Sequence, residues 1–328
     1  MINKRLFEHY GIDTTKDLGV PVVCAKPWET LLIDKRGSCF ACECTAWLPQ
    51  SVGNLQVNTL SEILRSDVRA HLQDSVSDGS YRYCNEHQCP YIKARDWNPM
   101  RPERGLRFLR LAIDESCNLR CPSCRDQLVF HKEGAAYRLG LRLADRVNEW
   151  LAQHHEHIQV HIGSDGDPFA SHVYRHFMEH TPNRDNIKYS ILTNGLMFRE
   201  FHTRVPQVMR NLEVLGVSMD GATRDTYERL RLGGTWHKIM DNLQCIRDMQ
   251  RRFRFDMHMV VQEANWREMI MMRDLARDMG ADRVYFNRVQ DWNTRLDVTS
   301  QTFHTLAEFD SMRMELTSDP LCHTAGLL

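Results

Sequence analysis

No run of this 328-residue chain approaches the roughly 20 consecutive apolar residues of a membrane-spanning helix. Its start, Met1 followed closely by Asn3, Lys4, Arg5 and Glu8, lacks the apolar stretch of a signal peptide. No membrane partner and a cytoplasmic location are therefore expected. An excess of charge of one sign is missing too. With 42 Lys+Arg against 43 Asp+Glu, the formal net charge is −1, which removes the bulk attraction that nucleic-acid or anionic-lipid binding draws on, so no nucleic-acid partner is expected. There is no internal repeat and no low-complexity tract. The 42% hydrophobic and 26% charged residues belong to a globular chain able to bury a core without disulfide support.

What the chain does have is cysteine. Of its 11 cysteines, nine precede residue 125, and in a reducing compartment such clustering points to metal binding or catalysis rather than disulfides. Cys24, Cys39, Cys42, Cys44, Cys84 and Cys89 form one group, and Cys117, Cys121 and Cys124 another. Cys245 and Cys322 stand alone and read as small buried hydrophobes.

The segment 92–105, "IKARDWNPMRPERG", has prolines, a glycine and mixed charge without apolar periodicity, and reads as a linker. A boundary there divides a cysteine-rich domain, 1–98, from a larger one, 99–328. In the larger domain short apolar or alternating stretches at 106–114, 157–164, 187–195, 212–221, 253–262 and 281–289 read as strands. Helical patterns at about 136–153, 169–180, 198–210, 223–250 and 265–279 lie between them. Six strands with five crossovers predict an α/β fold, a partial parallel (β/α)6 barrel, with its chemistry at the carboxyl ends of the strands. In the smaller domain "ETLLIDKRGSC" reads as a hairpin and "SEILRSDVRAHLQDS" as a helix with Ser61 as its N-cap.

The thiols of "CNLRCPSC" (117–124) come directly after the first barrel strand. A zinc site would want a fourth ligand and paired knuckles, and none lies further along this domain. A cubane 4Fe–4S cluster on three thiolates instead leaves one iron without a protein ligand, open to a molecule that offers an amine and a carboxylate.

This loop resembles the signature of the radical S-adenosylmethionine (radical SAM) superfamily, and the resemblance runs from about 106 to 290. "GSDGDP" (163–168) resembles the family's Gly-Gly-Glu-Pro turn, "ILTNG" (191–195) its ribose-side strand end, and "SMDGATRDTYERLR" (218–231) the Ser-x-Asp-Gly segment of its peptide- and sugar-modifying branches. "VVQEAN" (260–265) lies where the fifth strand meets the nucleoside. The resemblance implies Cys117, Cys121 and Cys124 as cluster ligands, Asp167 with Gly166 at the methionine amine, and Thr193, Asn194 and Ser218 near the ribose. Asp167 replaces the usual glutamate. Ser123 stands where an aromatic residue commonly packs near adenine. Asp220 reads either as part of the Ser-x-Asp-Gly segment or as the cap of the helix after it. Arg229 and Arg231 read as solvated helix residues, with a substrate carboxylate or phosphate as the other option.

In the smaller domain four thiols from distant loops, with two local pairs, describe a closed metal site. The pattern Cys24-x2-Pro27-Trp28, Gly37-x4-Cys42, "VGNLQVNTLSEILRS" and Cys84-x4-Cys89-Pro90 resembles the SPASM/twitch auxiliary-cluster module, here placed before the barrel. The resemblance implies Cys24, Cys42, Cys84 and Cys89 as ligands of one auxiliary 4Fe–4S cluster. Cys44 competes with Cys42, Cys39 reads as a bystander, and zinc on the same residues remains open.

The family resemblance implies reductive cleavage of S-adenosylmethionine to a 5′-deoxyadenosyl radical that takes a hydrogen atom from a peptide or sugar-type substrate. Oxidation or epimerisation is the expected outcome, with a flavodoxin- or ferredoxin-type electron donor as partner. No catalytic acid, base or hydrogen donor is assigned. The alternatives are a non-catalytic zinc and iron–sulfur scaffold binding a peptide, and radical group transfer or rearrangement on a nucleoside or sugar.

Overall fold

The computed structural model describes residues 2–95, 99–102, 105–290 and 296–327. The expected linker 92–105 therefore lies in part, at 96–98 and 103–104, outside the described residues. Two compact units result. The first comprises Met1–Asp114, Glu133–Asp165 and His180–Lys188, and the second Glu115–Lys132, Gly166–Glu179 and Tyr189–Leu328.

In the first unit the strands are β1 (Thr30–Asp34), β2 (Ser38–Phe40), β3 (Ser51–Asn54), β4 (Phe108–Ala112) and β5 (Ile158–Ile162). β1 and β2 form the expected hairpin, and β3 extends it antiparallel. β1 also pairs parallel to β4, Leu31 opposite Leu109, and β4 pairs parallel to β5. The first barrel strand thus shares a compact unit with the cysteine-rich segment.

The 57–80 region holds two helices where one was expected. Leu60–Leu64 is capped by Thr59, whose hydroxyl accepts from Glu62 N while the Glu62 carboxylate accepts from Thr59 N. Ser61 lies inside that helix, so the expectation that it caps is corrected: a reciprocal box satisfies two orphan N–H groups at once. Ser66 caps the second helix, Asp67–Ser77.

The second unit carries β6 (Ile187–Thr193), which begins in the first, then β7 (Leu212–Ser218), β8 (Arg254–Val261), β9 (Arg283–Arg288) and β10 (Cys322–Gly326). All are parallel neighbours in that order. The six expected barrel strands are present, and β10 adds a seventh that its short polar sequence did not announce.

Period-two alternation divides the faces. On β8, Phe255, Met257, Met259 and Val261 are fully buried, while Arg254, Asp256, His258 and Val260 project to the other side. Gly216 on β7 leaves room for this second face, since a Cβ there would lie 2.9 Å from both His258 Nε2 and Leu192 Cδ1. Met257, Met259, Met269 and Met272 are buried, while Met271 is half exposed.

The helix expected over 223–250 breaks into Arg224–Leu230 and Trp236–Asp248. The cause is Gly233-Gly234. Gly233 has φ +97, unsuited to a side chain, and a Cβ on it would sit 3.2 Å from the Asn118 carbonyl. That close approach lets Arg120 N donate to Leu232 O at 2.9 Å and brings the broken helix against the three-thiol loop.

Candidate cofactor sites

The loop after β4 is irregular and needs partners for its backbone. Cys117 N donates to Val129 O at 2.9 Å, Cys124 N to Cys121 O at 2.9 Å, and Asp167 N to Ser116 O at 2.8 Å. Cys117 and Cys121 are buried, and Cys124 is exposed.

Every sulfur has a donor. Leu119 N and Asn194 Nδ2 point at Cys117 Sγ, at 3.4 and 3.6 Å. Arg231 Nη1 lies 3.7 Å from Cys121 Sγ. The Arg125 side chain donates to Cys124 and, through Nη1, to Glu115 O at 2.6 Å. Burial pushes the Cys117 thiol up to about 12, with the Asp167 charge adding to it. Burial likewise raises Cys121, against the pull of Arg231. Such thiols stay protonated until a cationic centre displaces the proton.

Among the described residues no three His, Cys, Asp or Glu side chains are grouped to hold a single metal ion. The fit to a cluster therefore rests on the donor set: three thiols, N–H or guanidinium groups directed at each sulfur, and two buried atoms beside them, Arg231 Nε and Tyr227 Oη, that lack a protein partner. Donors around sulfur complement thiolates that a bound cluster would bring, and they fit it.

Asp167 is held by the chain itself. Its Oδ1 accepts from Phe169 N and Ala170 N at 3.1 and 2.9 Å, and its Oδ2 from Thr193 Oγ1 and Asn194 N, both at 2.7 Å. Four donors occupy the four lone-pair sites of a carboxylate, and the residue is 1% exposed. Burial raises its pKa while these bonds oppose the rise. These bonds tie the 166–171 turn to the end of β6.

Thr193 and Asn194, expected near the ribose, are buried and engaged in the same fastening. Asn194 Nδ2 also donates to Asn118 Oδ1 at 2.8 Å, and its Oδ1 accepts from Leu196 N at 3.0 Å. Gly195 completes the turn at φ +78, where a Cβ would lie 2.7 Å from Ile239 Cδ1. Gly166 has φ +69, a glycine conformation. Ser218 ends β7 half-buried, and its hydroxyl makes no hydrogen bond among the described residues.

Asp220 does not cap the next helix. Thr223 does, with its hydroxyl accepting from Thr226 N. Asp220 sits in the left-handed region, φ +59. Its Oδ1 accepts from Val260 N at 2.8 Å, its Oδ2 pairs with Arg231 Nη2 at 2.9 Å, and its carbonyl accepts from Asn265 Nδ2 at 2.8 Å. Arg231 is therefore not a solvated helix residue, whereas Arg229 does reach the surface, donating to Ala264 O.

Sequence reasoning missed a ladder of rings on the second face of β8–β10. His258 stacks on Tyr285 at 4.8 Å and Tyr285 on His323 at 4.7 Å. Burial lowers His258 to about 4, with Arg231 and Arg254 adding to the effect, so it is neutral near pH 7. The signal was available: these residues occupy matching registers on adjacent strands.

In the first unit a mostly apolar cavity is lined by Cys24, Cys42, Cys84 and Cys89, with Trp47, Tyr81 and Tyr91 among its walls. The structure thus brings together the four thiols that the resemblance implied. Burial pushes Cys24 to about 11 and Cys42 to about 12, and raises Cys84 and Cys89, each with a contribution from neighbouring thiols. Backbone N–H groups serve three of these sulfurs: Lys26 at Cys24, Cys44 and Glu43 at Cys42, Ile92 and Tyr91 at Cys89. Cys44 is not in the lining; its N–H serves Cys42. Cys39 is buried in β2 and donates to Gly37 O. N–H donors wrapped around clustered sulfurs fit an iron–sulfur group here as well.

Two family models match this chain. One, described as Radical SAM superfamily, covers residues 113–276, half of its length. The chain belongs to the radical SAM superfamily. More particularly, it is a member that also carries the iron–sulfur cluster-binding domain called SPASM, matched over residues 24–90. With these come a 4Fe–4S cluster, S-adenosylmethionine and auxiliary iron–sulfur binding. Membership of an enzyme superfamily favours catalysis over a scaffold, and the SPASM description favours iron over zinc.

Among curated proteins, the GTP 3',8-cyclase of Alkaliphilus oremlandii is 24% identical over 147 residues, 44% of this chain and 44% of that protein. The probable GTP 3',8-cyclase of Methanococcus maripaludis is 24% identical over 143 residues, 43% of this chain and 45% of that protein. The chain thus spans less than half the length of these relatives. Among solved structures, Streptococcus suis SuiB bound to precursor peptide SuiA is 11% identical, covering 67% of this chain and 48% of that one, with a TM-score of 0.49. No helix among the described residues is long and apolar enough to cross a membrane.

Proposed function

We propose that this radical SAM enzyme removes a hydrogen atom from a peptide or sugar-type substrate, with oxidation or epimerisation as the outcome. The observation that carries the reading is the loop 115–132, whose three thiols each have a donor while the nearby carboxylates are spoken for. Asp167 is saturated by four protein donors, and Asp220 by Arg231 and Val260 N. A cluster on Cys117, Cys121 and Cys124 would keep its fourth corner for S-adenosylmethionine. When bound, these cofactors supply reductive cleavage of the sulfonium to methionine and a 5′-deoxyadenosyl radical.

The chain's own residues position and exclude. Asn194 and Leu119 N hold Cys117, Asp167 holds Asn194 and Thr193, and Gly166 turns the adjoining backbone through the left-handed region. Ser218, with an uncommitted hydroxyl, is the polar group offered to the nucleoside. Cys24, Cys42, Cys84 and Cys89 would seat an auxiliary cluster, and a flavodoxin- or ferredoxin-type protein would deliver electrons. Residues 1–98 and 99–328 act as the two functional modules.

A second reading, radical rearrangement on a nucleotide, is supported by the name shared by the curated relatives, GTP 3',8-cyclase. The test is anaerobic reconstitution, iron and sulfide counts, and 5′-deoxyadenosine release under a low-potential reductant, with and without peptide, amino-sugar and GTP candidates. Stimulation by GTP alone would favour the second reading. A fully loaded protein that releases no 5′-deoxyadenosine would remove both.

A further inference from the structure

We propose that Arg231, clamped by Asp220, is a positioning residue that steadies Cys121 and lends a fixed positive charge to the loop, raising the reduction potential of the iron–sulfur group bound there. The inference rests on the reading of the loop as a cluster site.

The arginine is built in, not dangling. Its side chain is 11% exposed and that of Asp220 2%. One arm of the guanidinium, Nη2, meets Asp220 Oδ2 at 2.9 Å, the other, Nη1, meets Cys121 Sγ at 3.7 Å, and Nε has no protein partner. Asp220 cannot follow a swinging arginine, because Val260 N and Asn265 Nδ2 pin its carboxylate and its carbonyl, and its left-handed backbone sets the angle between them. The Gly233-Gly234 break supplies the turn that aims Arg231 at the loop.

A buried ion pair is costly to desolvate and is weak support for stability by itself. It becomes useful when further negative charge arrives beside it. Three thiolates bring that charge, and one-electron reduction of the cluster by the low-potential donor adds one more unit. A fixed cation in a dry interior favours that step. His258, the nearest imidazole on β8, is neutral near pH 7 and does not supply the charge. Arg125 serves Cys124, but it is partly exposed and has a backbone carbonyl rather than a carboxylate clamp. Arg231 is therefore the cation whose position is set by the fold.

The experiment is an anaerobic redox titration of the reconstituted full chain, tracked on the electron paramagnetic resonance signal that S-adenosylmethionine perturbs. Arg231→Met should lower the reduced-to-oxidised ratio at a given poise about tenfold, equivalent to about 59 mV for a one-electron couple. Arg231→Lys, which keeps the charge but loses the fork, should recover part of the shift. Asp220→Asn should move the potential the opposite way, because it removes a compensating negative charge. A merely structural role would lower thermal stability in all three without opposite shifts in potential. Equal potentials in wild type and Arg231→Lys and Arg231→Met variants, or shifts of the same sign in Arg231→Met and Asp220→Asn, would overturn the proposal. A wild-type protein with no S-adenosylmethionine-sensitive signal would instead overturn the functional reading, and this inference with it.

Discussion

The two thiol sites differ in what holds them. Around the cavity of the first unit, the sulfur-directed donors are backbone N–H groups one to three residues from the cysteine they serve. Around the loop of the second unit, the side chains of Asn194 and Arg231 are donors brought from distant parts of the sequence, the end of β6 and a broken helix. One site is made locally by the chain that wraps it and depends on its contents to fill an apolar cavity. The other is braced by side chains from a strand end and a broken helix, and one of its thiols faces solvent. Closure suits a structural or electron-holding centre, and an open corner on a rigid support suits chemistry.

The sharpest way to break the contrast is to remove one ligand from each site. Cys84→Ser should cost the first unit its auxiliary iron and leave a cavity lined by buried thiols, so that the segment around 18–95 becomes sensitive to limited proteolysis. Cys124→Ser should abolish 5′-deoxyadenosine release and remove roughly half the iron, with wild-type protease resistance retained. Equal resistance in the two variants would erase the distinction.

Next in size is Asp167→Ala, which strands donors at about 1–3 kcal/mol each and should cost about 4 kcal/mol in denaturant unfolding of the second unit. Asp167→Asn, which keeps part of the acceptor set, should cost less. A small loss of stability together with a large loss of S-adenosylmethionine affinity would instead mark a direct role at the methionine amine.

His258 adds a pH dependence to the second unit alone. Its folded value of about 4 lies below the ordinary value near 6.5, so the unfolded chain takes up the proton first. The stability is fully present above about pH 6.5 and is lost as pH falls toward 4, by about 3 kcal/mol. Chemical denaturation across this range should show a flattened acid limb in His258→Gln. Parallel limbs in wild type and variant would exclude the imidazole as the cause.

The smallest effect belongs to the first unit, where Thr59→Ala dismantles the capping box at a cost of about 1 kcal/mol. Hydrogen exchange in the helix Leu60–Leu64 should rise while β6–β9 keep their protection.

Much was legible in the order of the residues alone. Strand periodicity placed the six barrel strands, and cysteine spacing marked both thiol groups, because periodicity and covalent spacing are local properties of a chain. Three-dimensional proximity decided the rest. Arg231 reaches Cys121 from 110 residues away, Asn194 reaches Cys117 from 77, and Asp167 takes its donors from Asn194, 27 residues on. No local pattern distinguishes a carboxylate free for a ligand from one saturated by its own protein, or a solvated arginine from one clamped in a dry interior. Those states depend on which strand ends and loops pack together, and tertiary structure alone sets that.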